Sequence, residues 1–208
     1  MDVVKTGTTT LGMMCKDGII LAADRRATAG TFIAYKKTEK VIPINEHMAL
    51  TTAGSVSDIQ LMVKLLKAEL SLKDIRTGRS ATVEEAANLL AGMVYHNIRK
   101  MSMMPGISHF IFAGYDQNGP AMYDIYPDGS IQQVDEFVCS GSGSTFAYGL
   151  FEAQYKKGLS ATDAQDLAVK AVTSALQRDS ASGDGIDVVL ITKNGIKKVF
   201  DKSFNPAQ

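Results

Sequence analysis

The sequence predicts an α+β domain in which antiparallel sheets carry helices layered on their outer faces. Runs of strand pattern alternate with pairs of helices rather than with single crossover helices, and Asp-Gly or Asn-Gly pairs stand between neighbouring strand patterns as in hairpins. With 208 residues, 45% hydrophobic and 21% charged, the chain is long enough for one large core.

The elements follow in order. TTTLGMMC over 8–15 and GIILAAD over 18–24 read as strands joined by Asp17-Gly18, and KVIPI with MALTTAG, ending at Gly54, reads as a second pair. From 56 to 76 the apolar residues Ile59, Met62, Val63, Leu66 and Leu70 recur every three or four positions, which predicts a helix closed by the basic turn RTGR. Thr82 with Glu85 three residues on forms a capping box for a second helix, whose apolar face is Ala86, Leu89, Leu90, Met93 and Ile98. HFIFAGYD, PAMYDIY and VDEFVCSGS are strands again, with turns at Asn118-Gly119 and Asp128-Gly129. Residues 146–155 read as a helix, and Ser160 with Asp163 opens another whose stripe is Ala164, Leu167, Ala168, Ala171, Val172 and Ala175. GIDVVLIT and GIKKVF close the chain as a hairpin around Asn194-Gly195, and the tail SFNPAQ is expected to fray.

Several function classes are disfavoured. Lys and Arg total 22 against 22 Asp and Glu and are scattered, so a nucleic-acid partner is not expected. No apolar run reaches the ~20 residues of a membrane helix and MDVVKTG lacks signal-peptide features, so no membrane contact and a cytoplasmic location are expected. Cys15 and Cys139 fit reduced, inert thiols packed as small hydrophobes. His47, His96 and His109 lack metal-ligand spacing and read as structural; no metal or cofactor is expected.

Chemistry enters at KTGTTTLG. A threonine-rich strand is ordinarily just a β-branched strand. A threonine hydroxyl becomes a nucleophile when a base takes its proton, and the α-amino group of a chain-initial threonine is such a base. That amine titrates near ~7.7–8.0, so much of it is neutral at cell pH, whereas lysine near ~10.4 is almost all charged. Here the design requires cleavage between Gly7 and Thr8, and Gly7 has no side chain to crowd attack by the Thr8 hydroxyl on its carbonyl. Taken singly, Asp24 reads as a turn or cap residue, Lys40 as a solvated charge and Gly54 as a strand-to-helix turn. SGSGS over 140–144 and QRDSASGDGID read as loops rich in capping serine and aspartate.

Taken together and in order, GTTTLG, AADRRAT, the lysine of TEKV, TTAGSVSD, SGSGS and QRDSASGDGIDV resemble, over residues 8–191, the β-subunit family of the archaeal 20S proteasome, whose members are threonine peptidases among the N-terminal-nucleophile hydrolases. The resemblance implies a four-layer αββα sandwich, a propeptide of residues 1–7 removed autocatalytically, and one domain over 8–208. It implies Thr8 as nucleophile and, once freed, as general base. Lys40 would favour the deprotonated Thr8 groups and Asp24 would orient the lysine. Gly54 would supply a backbone oxyanion donor, so that Gly54→Ala would act by crowding substrate, and Ser142, Asp179 and Ser182 would surround the threonine amine. It also places Ala27, Thr38, Ile42, Thr52, Val56 and Gln60 in the first specificity pocket, whose uncharged walls favour cleavage after apolar or aromatic residues. Implied partners are a homo-heptameric β ring stacked on a second β ring, two outer α-subunit rings, ring ATPases that deliver substrate, and unfolded polypeptide as that substrate.

Two other readings stand beside this one. A non-catalytic structural subunit of the same ring would share the fold. A nucleotide-phosphate loop at SGSGSTFAYG is disfavoured because the Gly-Lys-Ser/Thr of a P-loop is missing and Phe146 replaces the third glycine of the dinucleotide motif. The segment HNIRKMSMMPGISHF is rich in methionine, and Met103 and Met104 fit gap-filling core residues as one reading.

Overall fold

A computed structural model of the chain describes residues 7–103 and 105–204. In chain order the elements are β1 (Thr10–Cys15), β2 (Gly18–Asp24), β3 (Ala27–Ala29), β4 (Phe32–Tyr35), β5 (Val41–Pro43) and β6 (Met48–Gly54), then α1 (Val56–Thr77) and α2 (Val83–Arg99). They continue with β7 (Ser108–Asp116), β8 (Gly119–Ile125), β9 (Ile131–Gln133), β10 (Phe137–Ser140), α3 (Ser144–Gln154), α4 (Ala161–Leu176), β11 (Gly185–Thr192) and β12 (Gly195–Ser203). One sheet has the order β10-β1-β2-β11-β12 and the other β5-β6-β7-β8-β9, with every pairing antiparallel; β3 and β4 form a separate small hairpin.

Three apolar clusters stack these sheets into four layers. Ile19, Leu21, Ala49, Ile111 and Ile191 fill the space between the two sheets. Leu50, Phe110 and Phe112 face α1 and α2 through Leu66, Leu90 and Val94. Leu11, Ile20 and Val188 face α3 and α4 through Phe151, Leu167 and Val172. The result is an αββα sandwich, as the resemblance implied.

Local chemistry explains most boundaries. The Thr82 hydroxyl accepts the Glu85 N–H at 3.1 Å while Glu85 accepts the Thr82 N–H at 2.9 Å, completing the capping box. Ser160 accepts the Asp163 N–H at 3.1 Å and starts α4 in the same way. Gly78, at φ 69°, ends α1 in the left-handed conformation that glycine adopts without cost. The buried stripes of α1 and α4 are the ones the sequence period indicates.

Several details differ from the sequence expectation. The face of α2 is Val83, Ala86, Ala87, Leu90, Ala91 and Val94, so Ala87 and Ala91 share it with Leu90 and Val94, whereas Leu89 is 37% exposed. Register pairs Cys15 with Gly18, Asp116 with Gly119 and Thr192 with Gly195, which puts the turns at 16–17, 117–118 and 193–194. The glycines follow the turn instead of forming it, and φ near 103° at Gly119 and 102° at Gly195 is the geometry of a bulge residue behind a type I turn. The hairpin β3–β4 and strand β9 have no counterpart in the sequence reading. Ser203 belongs to β12 rather than to a frayed tail, and residues 205–208 lie outside the described residues. Met101 and Met103 are exposed, Met103 by 88%, so Met103 fills no core gap; Met104 lies outside the described residues.

Candidate active site

The β1–β2 hairpin brings the start of β1 beside the end of β2, because Thr10 pairs with Ala23. One step outward, the Thr9 N–H meets the Asp24 carboxylate at 2.9 Å. The same oxygen accepts the Lys40 ammonium at 2.7 Å, and the other accepts the backbone N–H groups of Arg26 at 3.0 Å and Gly183 at 2.9 Å. Four donors therefore converge on a carboxylate with no exposure, and Lys40 itself is 4% exposed. Burial raises the Asp24 carboxyl above its ordinary value, with the Lys40 ammonium and the backbone donors opposing it. Burial likewise lowers the Lys40 ammonium, with Asp24 opposing. The pair places a desolvated cation, more ready than usual to give up its proton, at the base of the Thr8–Thr9 segment.

On the other side the SGSGS loop wraps the same segment. The Gly143 N–H donates to the Thr8 carbonyl at 3.3 Å, and the Thr8 N–H donates to the Ser142 hydroxyl at 3.2 Å. A Cβ on Gly141 would lie 2.0 Å from the Thr8 carbonyl oxygen, and one on Gly143 2.0 Å from the Thr9 hydroxyl, so both glycines are required by close approach. Ser142 and Ser182 each donate to Asp179 at 2.6 Å. With its proton committed to Asp179, Ser182 accepts from the Thr9 hydroxyl at 2.7 Å. A continuous chain of hydrogen bonds thus runs from the Thr8 N–H through Ser142, Asp179 and Ser182 to Thr9.

Thr8, Lys40 and Gly54 share a cleft of about 40 Å³ with Ala27, Thr38, Thr52 and Val56. Gly7, Thr28 and Ile59, which the sequence reading did not include, line it as well, and the Thr28 hydroxyl accepts the Gly7 N–H at 3.0 Å. Ile42 and Gln60 are not brought to this cleft: Ile42 packs against the α1–α2 core and Gln60 is exposed on α1. Gly54 has φ 123°, and a Cβ there would lie 2.2 Å from the Ile107 carbonyl oxygen. A side chain at Gly54 collides with its own chain, which corrects the expectation that alanine would act by crowding substrate. Gly7 is equally confined, since its Cβ would stand 1.7 Å from Ala181 Cβ.

Among the described residues no group of three or more His, Cys, Asp or Glu has metal-binding geometry, and no helix is long and apolar enough to cross a membrane. Cys15 and Cys139 are buried and free, and burial pushes both thiols up, away from the reactive thiolate.

An αββα sandwich of two antiparallel sheets with helices on both outer faces is the fold of the N-terminal-nucleophile class. The chain belongs to the proteasome subunit family, whose pattern matches residues 4–191. It is 42% identical over 193 residues to the proteasome subunit beta of Ferroglobus placidus, covering 92% of this chain and 90% of that one. It is 43% identical over 195 residues to that of Archaeoglobus profundus, covering 93% and 88%. Against that of Methanopyrus kandleri identity is 40% over 193 residues, covering 93% and 90%.

Proposed function

We propose that the chain is a catalytic β subunit of the proteasome core particle, a threonine endopeptidase whose nucleophile is Thr8. One observation carries the reading: Thr8 is held from both flanks, by the SGSGS loop and by Asp24 through Thr9, in a cleft that also holds buried Lys40 and the backbone of Gly54. The relatives, each named proteasome subunit beta, support it.

In the proposed sequence the Thr8 hydroxyl attacks the Gly7 carbonyl carbon, its proton passes to a base, and the C–N bond breaks to leave an ester on the Thr8 oxygen and a free Thr8 amine. Water hydrolyses the ester and releases residues 1–7 ending in the Gly7 carboxylate. The freed amine then serves as base for the same hydroxyl in turnover. Lys40 favours the deprotonated forms of both groups by its charge, and Asp24 fixes Lys40. The Gly54 N–H stabilises the oxyanion, a contribution worth about 3 kcal/mol in comparable sites. Ser142, Asp179 and Ser182 orient the amine. Ala27, Thr38, Thr52 and Val56 give the first pocket mostly uncharged walls, matched to apolar or aromatic residues before the cut. The working particle is a seven-membered β ring stacked on a second, between α-subunit rings, in the cytoplasm, supplied with unfolded chains by ring ATPases.

The test is the intact mass of this chain after co-assembly with α subunits. Loss of residues 1–7, abolished by Thr8→Ala, is expected. A full-length chain in assembled particles overturns the reading in favour of a non-catalytic ring subunit.

A further inference from the structure

Away from the cleft, His109 on β7 sits between the two sheets. Its Nε2 lies 2.6 Å from Asp124 on β8, and its Nδ1 lies 2.7 Å from the Ser140 hydroxyl on β10, which belongs to the opposite sheet. Its ring stacks on Tyr126 with centroids 5.1 Å apart. The carboxylate makes Nε2 the donor, so in the neutral imidazole Nδ1 accepts the Ser140 O–H. The residue types are those of a serine relay, but Ser140 is 3% exposed and no substrate reaches it.

The position of this tie gives it a use. Ser140 pairs with Thr10 and immediately precedes Gly141 and Ser142, the loop that grips Thr8. His109 immediately follows Ser108, which pairs with Gly54. One hydrogen-bonded side chain therefore joins the strand end that carries the nucleophile's loop to the strand beside the Gly54 N–H. We propose that His109, held by Asp124 and bonded to Ser140, is a positioning residue that sets the spacing between the Thr8 hydroxyl and the Gly54 N–H. The proposal rests on the reading of Thr8 as nucleophile. Contacts of this kind act on the transition state, where spacing matters most, more than on ground-state binding.

The test uses assembled particles and a fluorogenic peptide ending in an apolar residue, with kcat and KM determined separately for wild type, His109→Phe, Ser140→Ala and His109→Gln. His109→Phe keeps a ring on Tyr126 and removes both bonds, Ser140→Ala removes one hydroxyl, and His109→Gln restores a donor and an acceptor. A fall in kcat of about tenfold in His109→Phe and Ser140→Ala, with KM little changed and partial recovery in His109→Gln, is expected. Unchanged kcat in Ser140→Ala, or a change confined to KM, overturns the proposal; if His109→Phe does not assemble, Ser140→Ala decides. An unprocessed, inactive wild type removes the function reading and this proposal with it, whereas an active wild type beside an unaffected Ser140→Ala removes the positioning role alone.

Discussion

Replacing Gly7 by alanine puts a methyl group where there is no room for one. The new Cβ would stand 1.7 Å from Ala181 Cβ, 2.9 Å from Ala181 Cα and 3.0 Å from the Ser142 hydroxyl oxygen. Carbon atoms rest about 3.5–4.0 Å apart, so the Gly7–Thr8 bond, the proposed site of cleavage, must move by roughly 2 Å. Because a misplacement of about 1 Å can cost on the order of 100-fold in rate, Gly7→Ala should slow release of residues 1–7 by at least about 100-fold. Ala181→Gly removes the nearest atom while leaving the 2.9 Å and 3.0 Å contacts. The double variant should therefore recover part of the loss, to within about tenfold of wild type, and Ala181→Gly alone should process normally. The assay is a time course of intact mass during assembly, reading the fraction of chains that begin at Thr8. Wild-type speed in Gly7→Ala, or a double variant no faster than the single one, refutes the steric reasoning.

Two further substitutions probe the buried pair and the strand end. Lys40→Met keeps the stem and removes the ammonium; it should abolish peptide turnover and destabilise the fold by about 3 kcal/mol, the low end for breaking a buried pair, because three backbone donors remain on Asp24. Burial already raises the Asp24 carboxyl and its main opponent is then gone, so the folded variant binds a proton more readily than the unfolded chain. Its deficit is thus largest at neutral pH and narrows as pH falls, which urea unfolding at about pH 7.5 and about pH 5 reads directly; a deficit independent of pH rejects the pairing. Gly54→Ala meets both a φ of 123° and the Ile107 carbonyl, so it should lower stability by roughly 1–3 kcal/mol together with kcat. Thermal unfolding that matches wild type beside a raised KM would restore substrate crowding as the explanation.

The fold was legible where one periodicity dominates. The α1 stripe from Ile59 to Leu70 and the α4 stripe from Ala164 to Ala175 follow from spacing, and both cap residues were visible as Thr82 and Ser160. In α2 the spacing found the helix, its cap and the face residues Ala86 and Leu90, while Leu89 turns outward and Ala87 and Ala91 take the sheet side. The hairpin turns lie one residue earlier than the Asn-Gly pairs suggest, because a bulge glycine follows its turn and looks the same in sequence as one inside it. The β4 strand gave no alternation to find, since Phe32 and Tyr35 are both exposed. In the candidate site, Thr8, Asp24, Lys40, Ser142, Asp179 and Ser182 were legible only through the family resemblance, since each residue type alone has an ordinary structural reading. The backbone donors on Asp24 carry no side-chain signature, and the bond from His109 to Ser140 crosses between sheets 31 residues apart in the chain.

Thr9 is hydrogen-bonded at its N–H to Asp24 and at its hydroxyl to Ser182, and the Thr8 carbonyl accepts from Gly143. All three restraints lie on the downstream side of the Gly7–Thr8 bond. A cut backbone ordinarily produces a loose end that must be searched back into place, with the entropy of several torsions against it. Under the proposed cleavage the fragment that stays would be moored beyond the cut, so the new terminus would emerge already docked, and breaking the chain need not loosen the residue it exposes.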